Sequence, residues 1–152
     1  MICLALLASF SACAEERSDY LAIVVNSASP LENVTSAELA QIFKSQKTRD
    51  SAGARYVVGM RETGCAERAA ALKGIYQMSD SEYEKYFLQA TFAGTVQAPP
   101  KVFAGAGAVK QFVASAPGAI SYLRASDADS SVKVLKVDGK APGDAGYPIK
   151  IQ

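Results

Sequence analysis

Apolar residues in this chain come in short runs separated by polar turns, and the runs switch between two periods. Tyr20-Leu21-Ala22-Ile23-Val24-Val25 is continuous and rich in β-branched residues, the pattern of a strand covered on both faces. Asn26-Ser27-Ala28-Ser29-Pro30 reads as the turn that ends it. Thr35-Ser36-Ala37-Glu38 has the form of a capping box, and Leu39, Ile42 and Phe43 then give a helix one apolar face. Residues 46–54 form a polar loop with Gly53. Tyr56-Val57-Val58 begins a second strand, followed by a polar turn with Gly64 and a helix to about Tyr76.

Ser79-Asp80-Ser81-Glu82 is a second capping box. Tyr83, Tyr86, Phe87 and Ala90 follow at helical spacing, so this helix turns an aromatic stripe inward. Pro99-Pro100 forbids helix, and Lys101-Val102-Phe103 reads as a short strand. Gly105-Ala106-Gly107 leads into a helix with Val109, Phe112, Val113 and Ala116 on one face, stopped by Pro117-Gly118. Residues 119–123 form another strand, and residues 132–137 an edge strand. Residues 139–152 are a Gly/Pro-rich tail containing Tyr147-Pro148-Ile149. Strands alternating with helices predict an α/β fold: three layers, a largely parallel or mixed sheet, helices on both faces. Residues 20–150 make one domain, with no internal repeat and no linker.

Composition narrows the function. Apolar residues are 49% of 152, enough to build a core and too many for disorder. Net charge is +1, and no basic run or basic-aromatic interleaving points to nucleic acid. The absence of histidine removes histidine-based metal sites and catalytic triads. No acid–base or nucleophile–base pair stands out, so no enzyme, catalytic residue, metal or cofactor is expected.

Residues 1–14 are apolar and end Ser11-Ala12-Cys13-Ala14 before charged Glu15-Glu16-Arg17. The small-x-small site predicts a secretory signal cleaved after Ala14. Phe10-Ser11-Ala12-Cys13 offers a second reading, lipidation at Cys13, and an uncleaved anchor is a third; membrane attachment is expected only through the lipid, because the apolar run is too short to span a bilayer. With Cys3 and Cys13 in the signal, Cys65 is alone in the mature chain and cannot form an internal disulfide. The expected location is periplasmic.

Ligands in open α/β sheets bind beyond the carboxyl ends of the strands. Three turns compete for that edge. After the first strand come Asn26, Ser27 and Ser29, with polar groups for a ligand or for ordinary turn bonds. After the second, Arg61 and Arg68 bracket Gly64, Cys65 and Ala66 at a helix start, where backbone N–H groups favour an oxyanion. The competing reading makes Gly64 the N-cap and Glu67 the residue that reaches back to cap it, filling the anion site from within. Cys65 is either a reactive thiol or an inert small residue. The third turn is Ala104 with Gly105-Ala106-Gly107, a second anion nest or simply a flexible helix start.

Four blocks, in order, resemble the periplasmic phosphate-binding proteins of ABC transporters. They are Val34-Thr35-Ser36-Ala37-Glu38-Leu39-Ala40-Gln41-Ile42-Phe43-Lys44; the strand and turn from Val58 to Arg68; Ala116-Pro117-Gly118-Ala119-Ile120-Ser121-Tyr122; and Val137-Asp138-Gly139-Lys140-Ala141-Pro142 with Tyr147-Pro148-Ile149. The resemblance implies one lobe of a type II periplasmic-binding-protein-like fold. It also implies phosphate or another small oxyanion as ligand, gripped at Arg61, Gly64 and Arg68. The family's turn reads Gly-Ser-Gly-Thr-Arg, whereas this chain has Gly64-Cys65-Ala66-Glu67-Arg68, without the two hydroxyls. The resemblance covers only the second lobe, so ligand binding is expected to be weak or lost. The alternative is an interaction module that docks a protein partner, or a second copy, on the open sheet edge.

Overall fold

The computed structural model describes residues 19–152. The signal peptide of residues 1–14 and the lipidation of Cys13 lie outside the described residues. The chain order is β1 (Leu21–Val25), β2 (Asn33–Val34), α1 (Ser36–Phe43), β3 (Val57–Arg61), α2 (Ala66–Ala71), a π-helical turn (Leu72–Tyr76), α3 (Asp80–Phe92), β4 (Lys101–Phe103), α4 (Gly105–Ser115), β5 (Ala119–Arg124), β6 (Lys133–Val134) and β7 (Lys136–Val137).

Five strands form one sheet in the order β4-β3-β5-β1-β6, and β2 pairs with β7 beside it. Residues alternate between two cores, which makes three layers. Leu21, Ile23 and Val25 pack with Leu39, Ile42 and Phe43 of α1, Ala70 and Ala71 of α2, and Tyr83 and Phe87 of α3. Val24, from the other face of the same strand, packs with Val109 and Val113 of α4. The aromatic stripe is as its spacing predicts: Tyr76, Tyr83 and Phe87 meet edge-on or tilted at 4.7–6.4 Å.

The sheet is mixed, within the largely parallel or mixed expectation, and strand direction decides which turns share an edge. β3 runs parallel to β4 and β5, but β1 runs antiparallel to both β5 and β6. Val25 stands opposite Ile120, which also pairs with Val58, while Leu21 stands opposite Arg124. The carboxyl end of β1 therefore lies beside the amino ends of β3 and β5. Asn26 and Arg61 sit at opposite edges of the sheet.

Local signals resolve unevenly. Ser79 and Glu82 form the full reciprocal capping box. Only half of the first box forms: Thr35 accepts the Glu38 N–H at 3.1 Å, but the Glu38 carboxylate pairs with Lys47 instead. The helix to Tyr76 loosens to π geometry at Leu72 and stops at Gln77, φ 55°. Residues 132–137 form two short strands, not one, because the segment changes partner: Lys133–Val134 pairs with β1, a contact that Leu135 N–H to Ile23 O extends, and Lys136–Val137 pairs with β2. The tail is structural. Tyr147 donates its hydroxyl to Leu21 O at 2.7 Å, and Leu21 N donates to Ile149 O at 3.1 Å. At Gly118 the backbone passes so close to Arg55 that a Cβ would lie 1.8 Å from its carbonyl oxygen. That approach seats the start of β5 against the start of β3.

Candidate functional site

The edge at the carboxyl ends of β3, β4 and β5 collects Arg61, Glu62, the α2 start, the α4 start and Arg124. Arg61 closes β3, and the Tyr122 hydroxyl beneath it accepts its backbone N–H at 3.1 Å. Its guanidinium forms a two-point contact with Glu62, Nη2 to Oε1 at 2.8 Å and Nε to Oε2 at 3.2 Å. Glu62 Oε2 also accepts the Gly105 N–H at 3.2 Å. A carboxylate of the chain thus occupies the nest at the start of α4. The Arg61 bond, the first cause, and backbone N–H donors hold Glu62 down to a pKa of about 2.

Gly64 turns the chain at φ 91°, a conformation that favours glycine. The next residue caps α2: Cys65 Sγ accepts the Arg68 N–H at 3.4 Å and points its S–H at Glu62 O, 3.3 Å away. The expectation that Gly64 is the N-cap and Glu67 its reciprocal partner is corrected. Cys65 takes the serine-like role, which moves Glu67 one position earlier in the helix and turns its carboxylate to Arg124, Nε to Oε1 at 3.0 Å. Burial pushes the Glu67 pKa up. Its own N–H, the Arg124 bond and the charges of Arg124 and Arg61 outweigh that and leave it below the ordinary value. Burial pushes the Cys65 thiol up, so the structure favours the thiol over the thiolate. Ala66 opens α2, half-buried.

Arg68 is inside the fold. It is 4% exposed. Nε donates to Asp80 Oδ1 at 2.8 Å, Nη1 donates to Arg61 O at 3.1 Å, and the guanidinium lies 5.1 Å from the Tyr83 ring centre. It braces α2 and the Arg61 turn against α3, and its donors serve that purpose.

Asn26, Ser27 and Ser29 do not join Arg61, because β1 is antiparallel. Asn26 is buried and donates from Nδ2 to Val113 O at 2.9 Å and Ala114 O at 3.0 Å, capping the carboxyl end of α4. Its Oδ1 accepts the Ala28 N–H at 2.9 Å. Ser29 Oγ accepts the Leu31 N–H at 3.3 Å, and Ser27 is exposed on the same turn. These are turn and cap bonds at the far edge. The structure brings together Arg61, Gly64, Cys65 and Ala66, with Arg68 beneath them. It adds Glu62 and Arg124, which the sequence reading missed. The signal for Arg124 was present: a cation closing the buried run Ile120-Ser121-Tyr122-Leu123. Among the described residues, no group of three or more His, Cys, Asp or Glu could hold a metal ion, and no helix is long and apolar enough to cross a membrane.

No family model matches the sequence. Solved structures do match the fold. A phosphate ABC transporter substrate-binding protein from Clostridium perfringens, with bound phosphate, superposes with a TM-score of 0.71 at 22% identity, over 87% of this chain and 52% of that one. An ABC-type phosphate transport receptor from Vibrio cholerae gives 0.65 at 24% identity over 82% and 48%. PstS from Borrelia burgdorferi gives 0.67 at 16% identity over 95% and 62%. The chain spans roughly half the length of the first two and under two thirds of the third. It has the fold of a single lobe of a phosphate ABC transporter substrate-binding protein.

Proposed function

We propose that this chain is a secreted, periplasmic small-oxyanion-binding module of the ABC-transporter type, with phosphate the first candidate and weak binding the expected strength. The observation that carries this reading is the pairing of Arg61 with Glu62 and of Arg124 with Glu67 at one sheet edge. Two cations and two helix starts converge there, the donor set an oxyanion needs. The chain's own carboxylates already use those donors, so an incoming anion must displace them or share with them. The phosphate named for the Clostridium perfringens protein supports the choice of ligand. The signal-like residues 1–14 support export.

Calorimetric titration with phosphate, sulfate and small carboxylates tests it. Phosphate is expected to bind the parent at roughly millimolar Kd, about 4 kcal/mol. The triple variant Glu67→Thr, Cys65→Ser, Ala66→Gly removes the carboxylate and supplies hydroxyl donors. It should bind phosphate at least about tenfold better, a gain of about 1.4 kcal/mol. Arg61→Ala and Arg124→Ala should each weaken it. Sub-micromolar binding to the parent monomer would overturn the weak-binding reading. Failure of both parent and triple variant to bind any of the anions would favour the second reading, a module that docks a protein partner or a second copy on this edge.

A further inference from the structure

The opposite edge of the sheet, beside the amino ends of β3 and β4, carries a cavity of about 250 Å³. Its apolar wall is Ile42, Val58, Val96, Pro99 and Pro100. The charged residues lining it are Lys47, Arg55 and Lys101, and no acidic residue is among them. Lys47 is neutralised by Glu38. Arg55, exposed at the rim, donates from Nη2 to a neutral amide, Gln97 Oε1, at 2.7 Å. Lys101 lies over the Phe112 ring, 5.9 Å from its centre. Among the described residues no carboxylate pairs with Arg55 or Lys101. The nearby acids are committed: Glu38 to Lys47, and Asp50 Oδ1 to the N–H groups of Ala52 and Ala54 at 2.9 and 2.8 Å. Elsewhere in the fold Arg61, Arg68 and Arg124 each have an acidic partner.

From this juxtaposition of an unneutralised guanidinium with an apolar wall, we infer that the cavity is a second ligand site, for a small carboxylate with a compact apolar or aromatic body. The carboxylate sits on Arg55, whose planar fork matches its two oxygens. The body packs between Val96, Pro99 and Pro100 and the floor of Ile42 and Val58. At roughly 30 Å³ per displaced water, the volume corresponds to about eight waters, room for a carboxylate with a single small ring. A bare tetrahedral oxyanion would leave the apolar wall wet, so this site and the Arg61 edge discriminate by the ligand's body. The inference does not depend on phosphate binding, because the two sites lie at opposite ends of β3.

Titrations of the ¹⁵N-labelled chain with benzoate, benzyl alcohol and inorganic phosphate, followed by amide shifts, test it. Benzoate should move the amides of residues 45–48, 55–58, 95–98 and 101 with saturation. Benzyl alcohol should bind there at least tenfold more weakly, and phosphate should leave those amides in place. Arg55→Ala should weaken benzoate at least tenfold. Ala98→Trp, at an exposed position of the cavity lining, should block the site without touching the charge. Absence of saturable benzoate shifts in those residues would overturn the proposal. So would equal binding of benzyl alcohol and benzoate, or unchanged benzoate affinity in Arg55→Ala and Ala98→Trp.

Discussion

Arg124, at the end of β5, donates from Nε to Glu67 Oε1 at 3.0 Å, joining residues 57 positions apart across the edge where a ligand is expected. The Glu67 side chain is 11% exposed and that of Arg124 is 30%. A carboxylate whose folded pKa lies below its unfolded value stabilises the fold above the unfolded value and loses that contribution as pH falls through the folded one. For Glu67, and for Glu62 at about 2, the window opens near the ordinary carboxylate value of 4.5 and runs downward. Urea midpoints should therefore fall as pH drops below that value, and Glu67→Gln should flatten part of the fall. An identical pH profile in that variant would remove Glu67 from the account.

Arg68 should behave as a structural residue. Arg68→Ala leaves Asp80, the Arg61 carbonyl and the Tyr83 ring without their shared partner, at a cost of about 2–4 kcal/mol. Arg68→Lys should recover only part, because an ammonium cannot reach Asp80 and Arg61 O in the same fork. Urea denaturation of the two variants measures this. A fully stable Arg68→Ala would return the residue to the ligand site.

Cys65 should be a cap and a sluggish nucleophile. Cys65→Ser keeps the acceptor and should be near neutral, whereas Cys65→Ala should cost about 1 kcal/mol, the usual size for a lost N-cap. The raised thiol pKa predicts alkylation by iodoacetamide at pH 7 more slowly than for a free cysteine. Faster alkylation would contradict the cap geometry.

Gly118→Ala should be the most damaging small substitution. Its Cβ would meet Arg55 O at 1.8 Å and the Arg55 carbonyl carbon at 2.8 Å, so backbone must move. A loss of about 3 kcal/mol or more is expected from forced overpacking. Gly59→Ala meets the Phe112 ring edge at 2.9 Å, a side chain able to shift, and should lose less. The order of the two thermal midpoints checks the argument.

Asn26→Ala should lower stability by about 2 kcal/mol, because it strips two carbonyls of α4 and the Ala28 N–H of a buried partner. It should leave anion affinity unchanged, since Asn26 lies at the far edge. A calorimetric loss of phosphate binding with intact stability would contradict that placement.

What the sequence by itself determined is what short stretches of chain decide locally. Short continuous apolar runs placed β1, β3 and β5, helical spacing placed α1, α3 and α4, and Ser79 with Glu82 marked one helix start completely. The inward stripe of Tyr83 and Phe87 was legible because helical spacing alone puts those side chains on one face. The layered α/β class followed from the alternation of elements. Tertiary structure decided everything that needs two distant segments. A continuous apolar strand looks the same in either direction, so only pairing against β5 made β1 antiparallel and carried Asn26 away from Arg61. The side chain of Glu38 could cap its helix or reach Lys47, and the packing of the loop against α1 chose Lys47. Arg68 was legible as a cation closing the turn, but its bond to Asp80, twelve positions on, was not. Glu67 was legible as an internal anion, but its partner Arg124 was not, because a charge pair across the sheet leaves no periodic trace in either segment.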